Sequence, residues 1–69
     1  MLTVAATSIP CGSFESDGYI LSDGTFLFEG NLLGAHYRGF CVTSEGYRPN
    51  GKRYAPINRQ GRLLGFEEV

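Results

Sequence analysis

Side chains able to do covalent or metal chemistry are few in this chain. Cys11 and Cys41 are the only thiols and His36 is the only imidazole. A nucleophilic cysteine needs a base within hydrogen-bond reach, and neither thiol has a histidine beside it in sequence. The same three residues are too sparse and too irregularly spaced for a zinc site. Asp17-Gly18 and Asp23-Gly24 have the composition of turns rather than of catalytic carboxylates. The segment from Gly46 to Lys52 lacks the spacing of a phosphate-cradling loop, and Arg53 follows Lys52 where a serine or threonine is required. These residues predict a non-catalytic chain that uses no metal and no cofactor.

Charge carries more information. Ahead of Arg38 every charged side chain is acidic: Glu15, Asp17, Asp23 and Glu29. From Arg38 onward the balance inverts, with Arg38, Arg48, Lys52, Arg53, Arg59 and Arg62 set against Glu45, before Glu67 and Glu68 restore acidity. The net charge of -1 hides this split. All the cations but Lys52 are arginine, whose planar fork of donors suits carboxylates and phosphates. Tyrosine adjoins several of them, in Tyr37-Arg38, Tyr47-Arg48 and Arg53-Tyr54. Both residue types are enriched where protein interfaces concentrate their energy. Arg38, Tyr47, Arg48, Arg53, Tyr54 and Arg59 are accordingly the predicted partner-binding set.

The partner this set suits is a larger protein with an acidic surface, which makes the chain a small regulator, inhibitor or accessory subunit. Nucleic acid is the alternative, with arginine on phosphates and tyrosine beneath bases. Against it stand a sequence pI near 5.6 and an acidic first half, where such domains carry a basic footprint. A plainer role competes for Arg48, Lys52, Arg53 and Arg59, because charges in turns also serve solubility alone. The split charge lets one half of the chain complement the other half of a second copy. A homodimer is a further expectation, since small sheets hide their edges by association.

The elements that position these residues are predicted to be strands. The chain holds 10 glycines and 3 prolines in 69 residues, and both are costly in helices. Apolar residues come in short runs of Tyr, Phe, Ile, Leu and Val with turn residues between them. Leu2 to Ala6 is the first predicted strand, and Thr7 to Asp17 reads as a loop. Gly18 to Leu21 and Thr25 to Glu29 flank Asp23-Gly24 as a hairpin. Leu32 to Thr43 reads as one extended stretch, bent at Gly34 and Gly39. Asn50-Gly51 is the predicted tip of a further hairpin, Asn58 to Gly61 another turn, and Arg62 to Phe66 the last strand.

The whole is an all-β chain of five to six short antiparallel strands, forming a small sheet or an SH3-like or OB-like barrel. The predicted core is Ile20, Phe26, Phe28, Leu33, Phe40, Val42, Ile57, Leu64 and Phe66, with Leu21 and Leu63 at its margin. Residues 1–69 are expected to form one domain, of a size that buries only about 60% of its unfolded surface. No apolar run reaches the length of a membrane span. The start, Met1-Leu2-Thr3-Val4-Ala5-Ala6, lacks the basic and long apolar parts of a secretory signal. A cytoplasmic location with both thiols reduced is therefore expected.

One internal echo is visible: Gly30-Asn31-Leu32-Leu33-Gly34 returns as Gly61-Arg62-Leu63-Leu64-Gly65. Phe28-Glu29-Gly30, with Gly34 and Gly39 after it, resembles a MORN repeat in outline. The tryptophan and regular glycine spacing of that family are missing. The echo is read as two similar turn-to-strand transitions, and no family is assigned.

Overall fold

Short turns divide the chain into strands, and nearly every strand pairs with the next one in sequence. The computed structural model describes the backbone of residues 1–69 and all side chains except those of residues 32 and 33. Its strands are β1 (Val4–Cys11), β2 (Phe14–Leu21), β3 (Phe26–Phe28), β4 (Leu32–Leu33), β5 (His36–Thr43), β6 (Gly46–Arg59) and β7 (Arg62–Glu68). They form a single antiparallel sheet in the order β1-β2-β3-β5-β6-β7, with the two-residue β4 paired to β5 off this path. The all-β class and the antiparallel pairing match the sequence reading.

The barrel does not form. Among the described residues the two ends of the sheet meet where Leu2 bridges Phe66, through a reciprocal pair of backbone hydrogen bonds of 2.8 Å. The sheet therefore curls without closing.

Three local readings need correction. The stretch Thr7 to Asp17 is a hairpin rather than a loop. Cys11 pairs with Phe14 around Gly12-Ser13, and Gly12 carries the positive φ of 64° that a two-residue turn with glycine first demands. The stretch Leu32 to Thr43 is interrupted, because the chain reverses at Gly34-Ala35 and pairs Leu33 with His36. Asn50-Gly51 is no hairpin tip. The reversal has already occurred at Ser44-Glu45, where Thr43 pairs with Gly46, and β6 runs on past it.

What Asn50-Gly51 makes instead is a bulge. Between the pairs Phe40–Pro49 and Arg38–Arg53, β6 takes four steps against two on β5. Pro49 is tolerated there because a bulge does not require its missing N–H. The Asn50 side chain accepts a hydrogen bond from the Lys52 amide at 2.9 Å and faces the Tyr54 hydroxyl at 3.4 Å. Gly39 leaves the space for this: a Cβ there would lie 2.6 Å from the Tyr54 ring and 2.8 Å from Asn50 Oδ1.

Register assigns side chains to two faces. On the inner face lie Leu21, Leu27, Tyr54 and Phe66, all fully buried, with Val4, Tyr19, Tyr37 and Leu63 packed around them. Tyr19, Tyr37 and Phe66 meet at ring-centroid distances of 5.3–6.5 Å. On the outer face Phe26 and Phe28 contact Tyr47, and Phe28 contacts Phe40, all edge to face. The Tyr47 hydroxyl donates to the carbonyl of Pro10, which ties the β1–β2 hairpin across this face. Such geometries add to simple burial.

The core differs from the predicted one for a reason visible in Phe26-Leu27-Phe28. Its ends point outward and its centre inward, and both sides are covered, so alternation gives no clue to the deepest residue. Leu27 and Ile9 are fully buried, whereas Val42 is 60% and Leu64 38% exposed. Leu21, placed at the margin, is central. Ile20, Phe26, Phe28, Phe40 and Ile57 are half-buried, Phe66 is fully buried, and Leu33 lies outside the described side chains.

Candidate functional site

The arginines are placed by the β5–β6–β7 part of the sheet. Strand β5 pairs with β6 so that Arg38 stands directly opposite Arg53. The β6–β7 hairpin turns on Gln60-Gly61 and sets Arg59 directly opposite Arg62. Directly opposed side chains in an antiparallel pair have Cβ atoms about 4.5–5.5 Å apart. Both pairs therefore hold like charges side by side, an arrangement that destabilises a sheet. All four residues are exposed.

Compensation is absent where it is most needed. Among the described residues the ion pairs are Arg48–Glu45 at 2.7 Å and Lys52–Glu68 at 3.6 Å. Arg48 is thus held by the acid of its own turn. Arg38, Arg53, Arg59 and Arg62 take part in no ion pair among the described residues. Tyr37 and Tyr54 lie on the inner face, so Arg38 and Arg53, their chain neighbours, project from the outer one. Beside them on β7 Glu67 stands opposite Ala55 and pairs with neither arginine.

The tyrosines of the predicted set have other employment. Tyr54 is 1% exposed and belongs to the core. Tyr47 is half-buried, packed on Phe26 and Phe28 and hydrogen-bonded to Pro10. The structure therefore brings Arg38 and Arg53 together, leaves Arg59 on a separate hairpin with Arg62, engages Arg48 locally, and withdraws Tyr47 and Tyr54 from the surface chemistry.

A second feature was not visible in the sequence. A cleft of about 270 Å³ opens at one end of the inner face, lined by Thr7, Asp17, Gly18, Tyr19, Glu29 and Tyr37. The Glu29 amide donates to the Asp17 carbonyl at 3.0 Å, which continues the β2–β3 register and sets the two acids across from each other. Neither has a cationic partner among the described residues. Asp17 and Glu29 are separated by the Asp23-Gly24 turn, and only the hairpin register reveals that they are neighbours.

Cys11 and Cys41 are both free thiols; the register places them on opposite faces, and the Cys41 thiol points at the Arg48 carbonyl at 3.7 Å. No group of three or more potential metal ligands occurs among the described residues. No helix there is long and apolar enough to cross a membrane. Comparison of the chain with known protein families, with characterised proteins and with solved structures found no match.

Proposed function

We propose that the chain is a non-catalytic protein-binding module that docks a carboxylate-bearing surface of a larger protein, as a small regulator, inhibitor or accessory subunit. The observation that carries this reading is the Arg38–Arg53 pair: two exposed guanidinium groups opposed across β5 and β6 with no acid between them. Two forks held side by side on a sheet are preorganised for paired carboxylates, and an incoming anion relieves the repulsion between them. Arg59 and Arg62 extend the basic surface at the next hairpin. Arg48, paired opposite Cys41 on the other face and held by Glu45, stands apart from this surface. A reducing, cytoplasmic setting belongs to the same proposal.

A phosphate backbone would satisfy the same arginines. The protein reading is favoured because stacking of bases needs free ring faces, and the tyrosines beside the arginines are buried or packed edge-on. Titration with a glutamate-rich peptide and with a single-stranded oligonucleotide, each in low and high salt, tests the choice. Peptide binding that is lost in Arg38→Gln/Arg53→Gln supports the proposal. Tighter binding of the oligonucleotide, with a steep fall in affinity as salt rises, would transfer the arginines to nucleic acid. Affinity capture from host lysate with and without nuclease then identifies the partner.

A further inference from the structure

The molecule carries two uncompensated like-charge pairs of opposite sign on opposite faces. Asp17 and Glu29 line the cleft with the inner-face rings of Tyr19 and Tyr37, while Arg38 and Arg53 project from the outer face. Neither pair can reach the other within one chain, because the sheet lies between them. We infer that the Asp17–Glu29 cleft of one copy receives the Arg38–Arg53 pair of a second copy, so that the chain associates head to tail. This inference rests on the reading of Arg38 and Arg53 as a carboxylate-docking pair and names a second copy as one of its partners.

Several observations point to this occupant. Each pair is destabilising alone, and one contact between copies relieves both. The cleft, about 270 Å³, is far roomier than a single water of about 30 Å³ requires. Tyr19 and Tyr37 line the cleft beside the two carboxylates. The numbers match, two charges against two. Because donor and acceptor surfaces lie on opposite faces, using one leaves the other open. Such a contact is heterologous rather than self-complementary, and it generates rings or open chains of copies.

Sedimentation or light scattering of the wild-type chain at low ionic strength is the first test. The average mass should rise with concentration beyond twice that of a monomer, and return to the monomer near 1 M salt, where screening acts within about 3 Å. Arg38→Gln/Arg53→Gln and Asp17→Asn/Glu29→Gln should each stay monomeric alone. Mixed in equal amounts they should form dimers and nothing larger, since one supplies only a cleft and the other only a basic pair. Each variant should melt at or above the wild-type temperature, because each removes a repulsion. A glutamate-rich peptide added to the wild type should disperse the assemblies with no substitution involved. A wild type that stays monomeric, a mixture that does not dimerise, or assemblies indifferent to the peptide would overturn the inference. The two readings separate cleanly: peptide binding by a wild type that remains monomeric preserves the docking function and removes the second copy.

Discussion

Gly18 and Ile9 compete for one volume on the outer face. A Cβ placed on Gly18 would lie 2.6 Å from Ile9 Cδ1 and 2.5 Å from the carbonyl oxygen of Leu27. The flexible tip of Ile9 could swing aside, but the Leu27 carbonyl belongs to the sheet backbone. Gly18→Ala should therefore destabilise by about 1–3 kcal/mol, the usual cost of overpacking. Thermal unfolding followed by circular dichroism should show a fall of roughly 4–8 °C per kcal/mol for a domain of this size. An unchanged melting temperature would mean that the Leu27 carbonyl does not approach Gly18 this closely.

Phe66 and Leu64 lie two residues apart on β7 with opposite fates. Phe66 is fully buried and pairs with Leu2 at the seam of the curled sheet, whereas Leu64 is partly exposed at the irregular step in β6–β7 pairing. Phe66→Ala should cost about 3–5 kcal/mol, enough to unfold a domain whose core supplies little more. Leu64→Ala should cost less than about 1 kcal/mol, as surface truncations do. Denaturant titration of both variants ranks them directly, and the reverse order would refute the assignment of faces.

The Tyr47 hydroxyl joins the β5–β6 hairpin to the β1–β2 hairpin at the Pro10 carbonyl. Tyr47→Phe keeps the ring contacts with Phe26 and Phe28 and removes only this link. A loss of about 0.5–1.5 kcal/mol is expected, together with faster amide exchange around Gly12-Ser13. Exchange unchanged there would show that the two hairpins are held by ring packing alone.

Gln60 sits at a φ of 54° in the β6–β7 turn and is, among the described residues, the one non-glycine residue with positive φ. Two-residue hairpins of this kind favour asparagine before glycine, and a left-handed backbone strains a side chain such as glutamine. Gln60→Asn should raise stability, by up to about 1 kcal/mol. The measurement is again the unfolding midpoint, and a lower midpoint would assign Gln60 a contact that offsets its strain.

The parts of the fold legible in the sequence were those governed by local chemistry. Asp23-Gly24 and the polar run Asn58 to Gly61 both form the turns their composition predicts, and the Thr25 amide does bond to Asp23 Oδ1 at 3.0 Å. Asn50-Gly51 carries the same signal but became a bulge, because Ser44-Glu45 had already reversed the chain. The arginines were legible as a group but not as pairs. That Arg38 faces Arg53 depends on a bulge of two residues, and no periodicity in the sequence announces it. Tyr54 looked like a surface partner of Arg53 because adjacency in a strand was read as proximity on one face, whereas successive side chains point to opposite faces.

The two-sided sheet has a consequence for how the chain finds its frame. In most half-buried strands a slip of one residue is punished at once, because it turns the apolar side chains to water. Here, in segments such as Phe26-Leu27-Phe28, a slip would exchange one covered face for another and lose little burial. Correct alignment must then come from the punctuation between the strands, the short turns at Gly12-Ser13, Ser44-Glu45 and Gln60-Gly61 and the bulge at Asn50-Gly51. A residue inserted beside Phe26-Leu27-Phe28 would yield a segment that still covers its rings but reads them in the wrong frame, whereas the same slip in β6 would turn Arg53 inward in place of Tyr54.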